Sequence, residues 1–316
     1  MEKVDIAIVG AGVIGLAIAR ELSRHYSHKT IVVLERHSKY GQETSGRNSE
    51  VIHSGIYYPS HMLKTSLCIA GNPLLYEYCE KYRIPHRKIG KLIVAATEDD
   101  VSGLDRLIKQ AQLNNIAIEK INAAGIKSME PDISAVEGIF IRHTGIFDSH
   151  TYLSSLYYLG RENGVYYLFN TALLNIDYDG KGYIIETQRE KLKAEVVINT
   201  AGLFSDKIAQ MAGIDIDKAG YRLHPCKGEY YKINRRFNIN HLVYPIPDRY
   251  GLGIHLTKDI SGGLRLGPNT YYVDEPDYSM DERHKEEFYA AARRYLPFLK
   301  ISDISPDYCG DRKSVV

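Results

Sequence analysis

The chain has 316 residues, with 40 basic and 39 acidic side chains and a formal net charge of +1. This length is enough to bury a sizeable core and predicts two domains, and the balanced charge argues against a nucleic-acid partner or a polybasic membrane surface. The four cysteines are scattered and form no Cys-x-x-Cys pair. This pattern indicates reduced thiols, as in a cytoplasmic protein, and no metal site. No apolar run approaches membrane-spanning length, so at most a peripheral contact at the inner face of the membrane is expected.

The chain begins with a predicted strand, turn and helix. Residues 4–9 form a β-branched apolar run, Gly10, Gly12 and Gly15 follow as Gly-x-Gly-x-x-Gly, and apolar residues then recur at helical spacing. In this order, the first two glycines allow a tight turn and close approach of a pyrophosphate, and the third lets the helix pack on the strand. A second apolar run ends in Glu35, an acid placed to bind ribose hydroxyls. The predicted ligand is therefore NAD or the ADP half of FAD.

The rest of the chain is predicted from its periodicity. A polar loop leads to a helix at 63–82, a strand at 89–97, a helix at 99–115, strand-like segments at 129–147, a helix at 148–164 capped by Asp148 or Ser149, strands at 166–199, an antiparallel sheet at 221–272 and a helix at 280–299.

A second buried strand, residues 196–199, ends in the small-residue turn Thr200, Ala201 and Gly202. The carboxyl ends of strands in open α/β sheets bind ligands, although an ordinary strand-to-helix turn is an alternative interpretation. Because FAD is long and is held by several segments, two such turns around a helical insertion favour FAD over NAD. We expect this strand and the first one to share a parallel sheet.

The predicted fold class is α/β (α+β overall), with a Rossmann-like FAD-binding domain and a discontinuous antiparallel-sheet substrate domain. Residues 1–82 and 145–220 are assigned to the FAD-binding domain. Residues 83–144 and 221–316 are assigned to the substrate domain, with residues 300–316 leading back toward the FAD-binding domain.

Several longer stretches resemble a known family: VGAGVIGLAIARELS, TSGRNSEVIHSGIYY, IGKLIVAAT, HTGIFD, NTAGLFSD, YPIPD, GLGIHLT, LGPN and ISPDYCGDR. With them the sequence is similar to the D-amino-acid-oxidase-like FAD-dependent oxidoreductases and, within these, to the L-2-hydroxyglutarate oxidase/dehydrogenase family. The resemblance implies FAD as cofactor and hydride transfer from a 2-hydroxy dicarboxylate, L-2-hydroxyglutarate, to flavin N5, with oxygen or a quinone as electron acceptor. The predicted cofactor-binding residues are Gly10, Gly12, Val13, Ile14, Gly15, Glu35, Arg36, Thr44, Ser45, Asn48, Ser49, Leu173, Ala201 and Gly202.

Oxidation of a 2-hydroxy acid requires a base for the hydroxyl proton and cations for the carboxylate. Histidine is the natural base near neutral pH, and His53 and His255 lie in stretches that match the family. We predict His255 as the base, with a satisfied core histidine as the competing interpretation. The resemblance places His53 against the flavin, where a covalent link, a non-covalent contact or a hydrogen bond within the loop are the alternatives.

The planar fork of arginine suits carboxylate binding. Arg312 aligns with an arginine of the family and is chosen over Arg265 and Arg47 as the third catalytic residue. Further substrate-binding candidates, each with a structural role as the alternative, are Tyr57 and Tyr58 as hydrogen-bond donors and Lys227 as partner of the distal carboxylate.

Two other functions stay open. A related flavin enzyme could act on glycerol 3-phosphate or an amino acid, although no cluster of basic residues for a phosphate stands out. The chain could also be a non-catalytic flavoprotein, since the resemblance stops at ISPDYCGDR. Family members are expected to continue with a strand, a glycine-rich turn and a helix of the FAD-binding domain. Without that segment, weak FAD binding and poor turnover are expected.

Overall fold

The computed structural model describes residues 1–247 and 253–311. Within these ranges the strands are β1 (Glu2–Val9), β2 (Ile31–Leu34), β3 (Val51–Ile52), β4 (His86–Arg87), β5 (Lys91–Ala95), β6 (Glu119–Asn122), β7 (Glu137–Ile141), β8 (Gly145–Phe147), β9 (Tyr166–Leu168), β10 (Leu173–Tyr178), β11 (Tyr183–Thr187), β12 (Lys191–Asn199), β13 (Cys226–Ile233), β14 (Leu242–Pro245), β15 (Leu256–Lys258), β16 (Leu264–Leu266), β17 (Tyr271–Tyr272) and β18 (Ile304–Asp311). The helices are α1 (Val13–His25), α2 (Leu63–Lys81), α3 (Val101–Leu113), α4 (Ala123–Met129), α5 (Ser149–Glu162), α6 (Ser205–Met211) and α7 (Lys285–Arg293).

The first sheet has the strand order β10-β11-β12-β1-β2-β9. Strand β1 lies parallel to both β12 and β2, with Ile8 beside Ile198 on one side and Val33 on the other. This arrangement confirms that the first strand and the strand at 196–199 share one parallel sheet. The prediction that residues 196–199 are buried is wrong, because Val196 is 47% exposed and Val197 and Ile198 are only partly buried. The carboxyl ends of β1, β2 and β12 meet at one edge, so the segments that follow them are neighbours there.

The second sheet has the order β17-β13-β16-β15-β14-β5-β7-β6, and β18 also pairs with β13. Its pairings are antiparallel, as predicted, except that β14 runs parallel to β5. The two faces of β5 enter different cores, because strand side chains alternate. Leu92 and Val94 pack in the core that includes α7, whereas Ile93 and Ala95 pack against α3 and the segment around Ile56.

A small third sheet has the order β3-β8-β4. Val51 of β3 lies opposite Ile146 of β8. Strand β3 follows the polar loop after β2, so this pairing anchors the end of that loop between the sheets.

The helix ends follow local chemistry. The Asp148 carboxylate accepts a hydrogen bond from the Thr151 backbone N–H, which makes Asp148 the cap of α5. The helix predicted at 280–299 is shorter in the structure, because α7 ends at Arg293. Pro297 lies a few residues on, and proline disfavours helical conformation in the residue before it. None of the described helices combines the length and apolarity needed to cross a bilayer.

Candidate functional site

The glycine turn after β1 is shaped by close backbone contacts. Gly10 has a φ of +102°, and a Cβ atom there would lie 2.7 Å from the Thr200 carbonyl oxygen. A Cβ atom at Gly15 would lie 2.0 Å from the Gly10 carbonyl oxygen. The third glycine therefore packs α1 onto the turn, as the spacing predicts. Thr200 closes the same contact from β12, since its hydroxyl donates to the Val9 carbonyl at 2.8 Å.

The Glu35 carboxylate is fixed at the end of β2. It is only 9% exposed and accepts hydrogen bonds from the backbone N–H groups of Ala11 at 2.9 Å and His37 at 2.8 Å. The contact with Ala11 ties β2 to the glycine turn. The spacing of the motif predicts Glu35 as a ribose ligand, which stays a prediction, but gives no sign of this structural role.

A cleft of about 530 Å³ opens at the edge where β1, β2 and β12 end. It is lined by most of the predicted cofactor-binding residues: Gly10, Gly12, Val13, Ile14, Glu35, Arg36, Thr44, Ser45, Leu173, Ala201 and Gly202. Gly15, Asn48 and Ser49 are not in its lining. Asn48 instead holds the loop, because its amide donates to the Ser45 carbonyl at 2.8 Å and accepts from the Glu50 N–H at 2.9 Å.

Sequence reasoning missed several cleft residues. Thr171 and Ala172 precede β10, and Phe204 and Lys207 follow the turn after β12. The Arg36 guanidinium lies 3.9 Å from the centre of the Phe204 ring. Their only signal was position, since Thr171 and Ala172 also come after β9, which ends beside β2, and Phe204 and Lys207 come after β12.

The cleft suits an adenine dinucleotide. The first turn of α1 borders it, since Val13 and Ile14 are in its lining, and the Val13 N–H donates to the Ser45 hydroxyl at 2.9 Å. A Cβ atom at Gly12 would approach that hydroxyl to 3.1 Å, so the glycine allows the Ser45 side chain to lie close to the helix end. A helix N-terminus favours bound phosphate.

His255 lies in a second cluster, on the sheet that carries β5. The imidazole is 4% exposed and stacks on the Tyr244 ring, with centres 3.5 Å apart and planes 10° apart. Val243 of β14 lies opposite Leu256 of β15 in an antiparallel pair. This register puts Tyr244 and His255 side by side. The stack fixes the plane of the imidazole.

Lys91 completes this cluster. Its Nζ atom lies 4.3 Å from the centre of the Tyr244 ring and 5.1 Å from that of Tyr57. Burial lowers the pKa of Lys91 from 10.5 to about 7. The sequence analysis did not single out Lys91 or Tyr244. The available signal was a charged residue at the start of an otherwise apolar strand, where it shares a face with Ile93 and Ala95.

His53 lies elsewhere. It follows β3, and its carbonyl accepts from the Asn72 side chain at 2.9 Å. His53 lines a groove of about 560 Å³ between α1, α2 and α5, together with Leu67 and Cys68. Its predicted contact with the flavin stays a prediction.

The predicted carboxylate-binding residues have mixed outcomes. Arg312 lies outside the described residues. Lys227 is 4% exposed and already paired, with its Nζ 2.6 Å from Asp277 and 3.8 Å from Glu229. The hydrogen bond from Lys227 helps to lower the pKa of Asp277 to about 2. These pairings favour the structural alternative for Lys227.

The other cations and tyrosines are placed as follows. Arg265 forms an ion pair with Asp307 at 2.6 Å. The Arg47 guanidinium lies 4.3 Å from the Tyr278 ring centre. Tyr57 and Tyr58 are half-buried, and Lys64 lies 4.5 Å from the Tyr58 ring centre. Their roles toward substrate stay predictions.

Comparison with known proteins decides the family. The model of the FAD dependent oxidoreductase family, DAO, matches residues 5–315. The chain belongs to this family. Its cofactor is FAD, which confirms the choice over NAD, and the protein is an FAD-dependent oxidoreductase.

Curated relatives include L-2-hydroxyglutarate dehydrogenases. The mitochondrial protein of Arabidopsis thaliana is 33% identical, covering 98% of this chain and 73% of its own length. The Escherichia coli K12 protein is 32% identical, covering 84% and 63%, and the human mitochondrial protein is 35% identical, covering 84% and 60%. The chain thus spans less than two thirds of the latter two relatives.

Solved structures share the fold. L-alpha-glycerophosphate oxidase from Mycoplasma pneumoniae, dithionite-reduced with FAD bound, has a TM-score of 0.90 and 27% identity, covering 99% of this chain and 83% of that one. Glycine oxidase from Geobacillus kaustophilus has a TM-score of 0.85 at 18% identity, covering 99% and 83%. The second likeness bears on the fold alone.

Proposed function

We propose that the protein oxidises L-2-hydroxyglutarate to 2-oxoglutarate. The observation that carries this proposal is the 33% identity to the Arabidopsis L-2-hydroxyglutarate dehydrogenase across 98% of the chain. The buried imidazole of His255 and the buried amine of Lys91, which both lie against the Tyr244 ring, support it, because such a substrate needs a proton acceptor and cationic partners.

In this proposal, residues 1–82 and 145–220 form the FAD-binding domain. The turn at Gly10 and Gly12 and the N-terminus of α1 hold the pyrophosphate, because the N–H groups and the helix dipole favour an anion. The Glu35 carboxylate accepts hydrogen bonds from the ribose hydroxyls while it keeps its bond to Ala11. When bound, FAD supplies the hydride acceptor.

The protein's own residues handle the proton and the carboxylates. A ring nitrogen of His255 accepts the hydroxyl proton, and the stack on Tyr244 holds the ring in one plane for this transfer. Arg312 binds the carboxylate next to the reacting carbon, where a planar fork gives two parallel hydrogen bonds. Tyr57 and Tyr58 orient the substrate from the loop.

An anaerobic substrate screen tests the proposal. The FAD-loaded protein is mixed with L-2-hydroxyglutarate, D-2-hydroxyglutarate, glycerol 3-phosphate or glycine, and flavin absorbance is followed. We expect bleaching with L-2-hydroxyglutarate and none with its mirror image, which is the matched control. Bleaching by another substrate alone would contradict the proposal. Readmitting oxygen or adding a quinone then identifies the electron acceptor by recovery of the absorbance.

The likeness to glycerophosphate oxidase favours glycerol 3-phosphate as the second candidate substrate. A phosphate dianion is best held by several cations. Among the described candidates, Lys227 and Arg265 are each engaged with an acid. The same substrate screen separates glycerol 3-phosphate from the hydroxy acid.

A further inference from the structure

Lys91 is a buried amine that contacts aromatic rings but has no acidic or hydrogen-bonding partner among the described residues. It is the first residue of β5 and 0% exposed, and its Nζ makes no hydrogen bond within residues 1–247 and 253–311. Taking a charged amine out of water is costly unless an opposite charge or hydrogen bonds compensate. Lys227, the comparable buried lysine, has that compensation from Asp277. The amine of Lys91 is thus arranged to receive a partner.

The amine of Lys91 lies in the same buried cluster as His255, the proposed base. The imidazole of His255 covers one face of the Tyr244 ring at 3.5 Å, so the amine, 4.3 Å from the same ring centre, lies over the other face. The imidazole centre and Nζ therefore lie no further apart than the sum of these distances, 7.8 Å. Tyr244 therefore separates the two groups, and a dicarboxylate with its hydroxyl at His255 has to pass the edge of this ring to place its far end near Lys91.

The partly exposed side chain of this cluster belongs to the loop. Lys91 and Tyr244 are fully buried, whereas Tyr57, whose ring lies 5.1 Å from Nζ, is half-buried. Tyr57 comes after β3, which ends the polar loop, and it is the partly exposed member of the cluster around Tyr244.

The geometry points to Lys91 as the residue that binds the distal carboxylate of the substrate, a role that sequence reasoning gave to Lys227. This inference rests on the proposed function, because it requires a dicarboxylate. The titratable groups that face the amine are the phenols of Tyr57 and Tyr244 and the thiol of Cys68 on α2. None of these is a carboxylate, so the substrate would bring the first acid to this site within the described residues.

Proton uptake is the distinguishing signature. With the pKa of free Lys91 at about 7, the amine is mostly neutral at pH 8. A bound carboxylate favours the ammonium form, so the complex takes a proton from the buffer. Between pH 7.5 and 9, the affinity for a dicarboxylate then falls by about tenfold per pH unit.

Calorimetry on the FAD-loaded protein at pH 8, in two buffers of different ionisation enthalpy, measures affinity and proton uptake together. The probe is 2-oxoglutarate, and 2-oxopentanoate is the matched ligand without the distal carboxylate. We expect uptake approaching one proton with the first and none with the second. Lys91→Met should weaken 2-oxoglutarate binding by roughly 10- to 100-fold, abolish the uptake and leave 2-oxopentanoate unaffected.

Lys258→Met is the control variant. Lys258 lies on β15, is half-buried, and donates to the Ile239 carbonyl at 2.7 Å; this variant should bind like the unaltered protein. If Lys91→Met keeps the preference for 2-oxoglutarate, the inference is overturned while the proposed function stands. Absence of proton uptake in the unaltered protein overturns it even if the variant does not fold. If the unaltered protein does not bind 2-oxoglutarate, the substrate assignment falls as well.

Discussion

Replacing Lys91 with methionine should stabilise the fold in a pH-dependent way. The unfolded chain holds its proton up to the usual pKa of 10.5, whereas the folded chain releases it at about 7. Between these values the unfolded state binds more protons, so the stability of the unaltered protein rises with pH. Below pH 7 both states are protonated and the full penalty of burying the charge is present.

The size of the effect follows from this difference. A fall from 10.5 to about 7 corresponds to about 5 kcal/mol at 1.36 kcal/mol per pKa unit. Methionine has a similar shape and no charge, so Lys91→Met removes the penalty. Its advantage in the free energy of unfolding should be largest below pH 7 and should shrink by about 2.7 kcal/mol between pH 7.5 and 9.5.

Urea unfolding of both proteins at several pH values and constant ionic strength measures this gap. Equal slopes with denaturant would show that the unfolded states are comparable. The thiol of Cys68 faces the amine, and burial raises the pKa of that thiol, so a Cys68→Ala background removes its contribution. A gap that stays constant from pH 6 to 9.5 would refute the assignment of Lys91 as a buried, unpaired amine.

Glu35→Ala should weaken FAD by about 1.5–3 kcal/mol, the loss expected for hydrogen bonds to a charged acceptor; a flavin titration showing unchanged affinity would remove Glu35 from the site. His255→Ala should slow flavin reduction by L-2-hydroxyglutarate roughly 100-fold in rapid mixing while affecting substrate affinity much less; a rate equal to that of the unaltered protein would redirect attention to His53. Asp148→Ala should cost about 1 kcal/mol of stability, because the Thr151 N–H loses its acceptor; Asp148→Asn should retain most of it in urea unfolding.

The glycine turn and Glu35 could be predicted from the sequence because their chemistry is local. The spacing of Gly10 and Gly15 follows directly from the approach of α1 to the turn. The cap at Asp148 is likewise set within one helical turn. The contact from Ala11 to Glu35 crosses 24 residues, and no pattern within either segment indicates it.

The cluster around His255 could not be predicted in the same way. It depends on the parallel pairing of β5 with β14, which brings Lys91 beside Leu242, and on the register that sets Tyr244 beside His255. Strand order and register between segments so far apart depend on long-range packing, which periodicity does not encode. The sequence showed the alternation of β5, but not which strand would lie next to it.

The most direct test of the proposed function is the stoichiometry of one anaerobic reaction. FAD-loaded protein is titrated with L-2-hydroxyglutarate while flavin absorbance and free 2-oxoglutarate are measured in the same sample. One molecule of 2-oxoglutarate should form for each flavin bleached, and D-2-hydroxyglutarate should give neither signal. A flavin that stays oxidised with L-2-hydroxyglutarate but is bleached by glycerol 3-phosphate would contradict the proposed function.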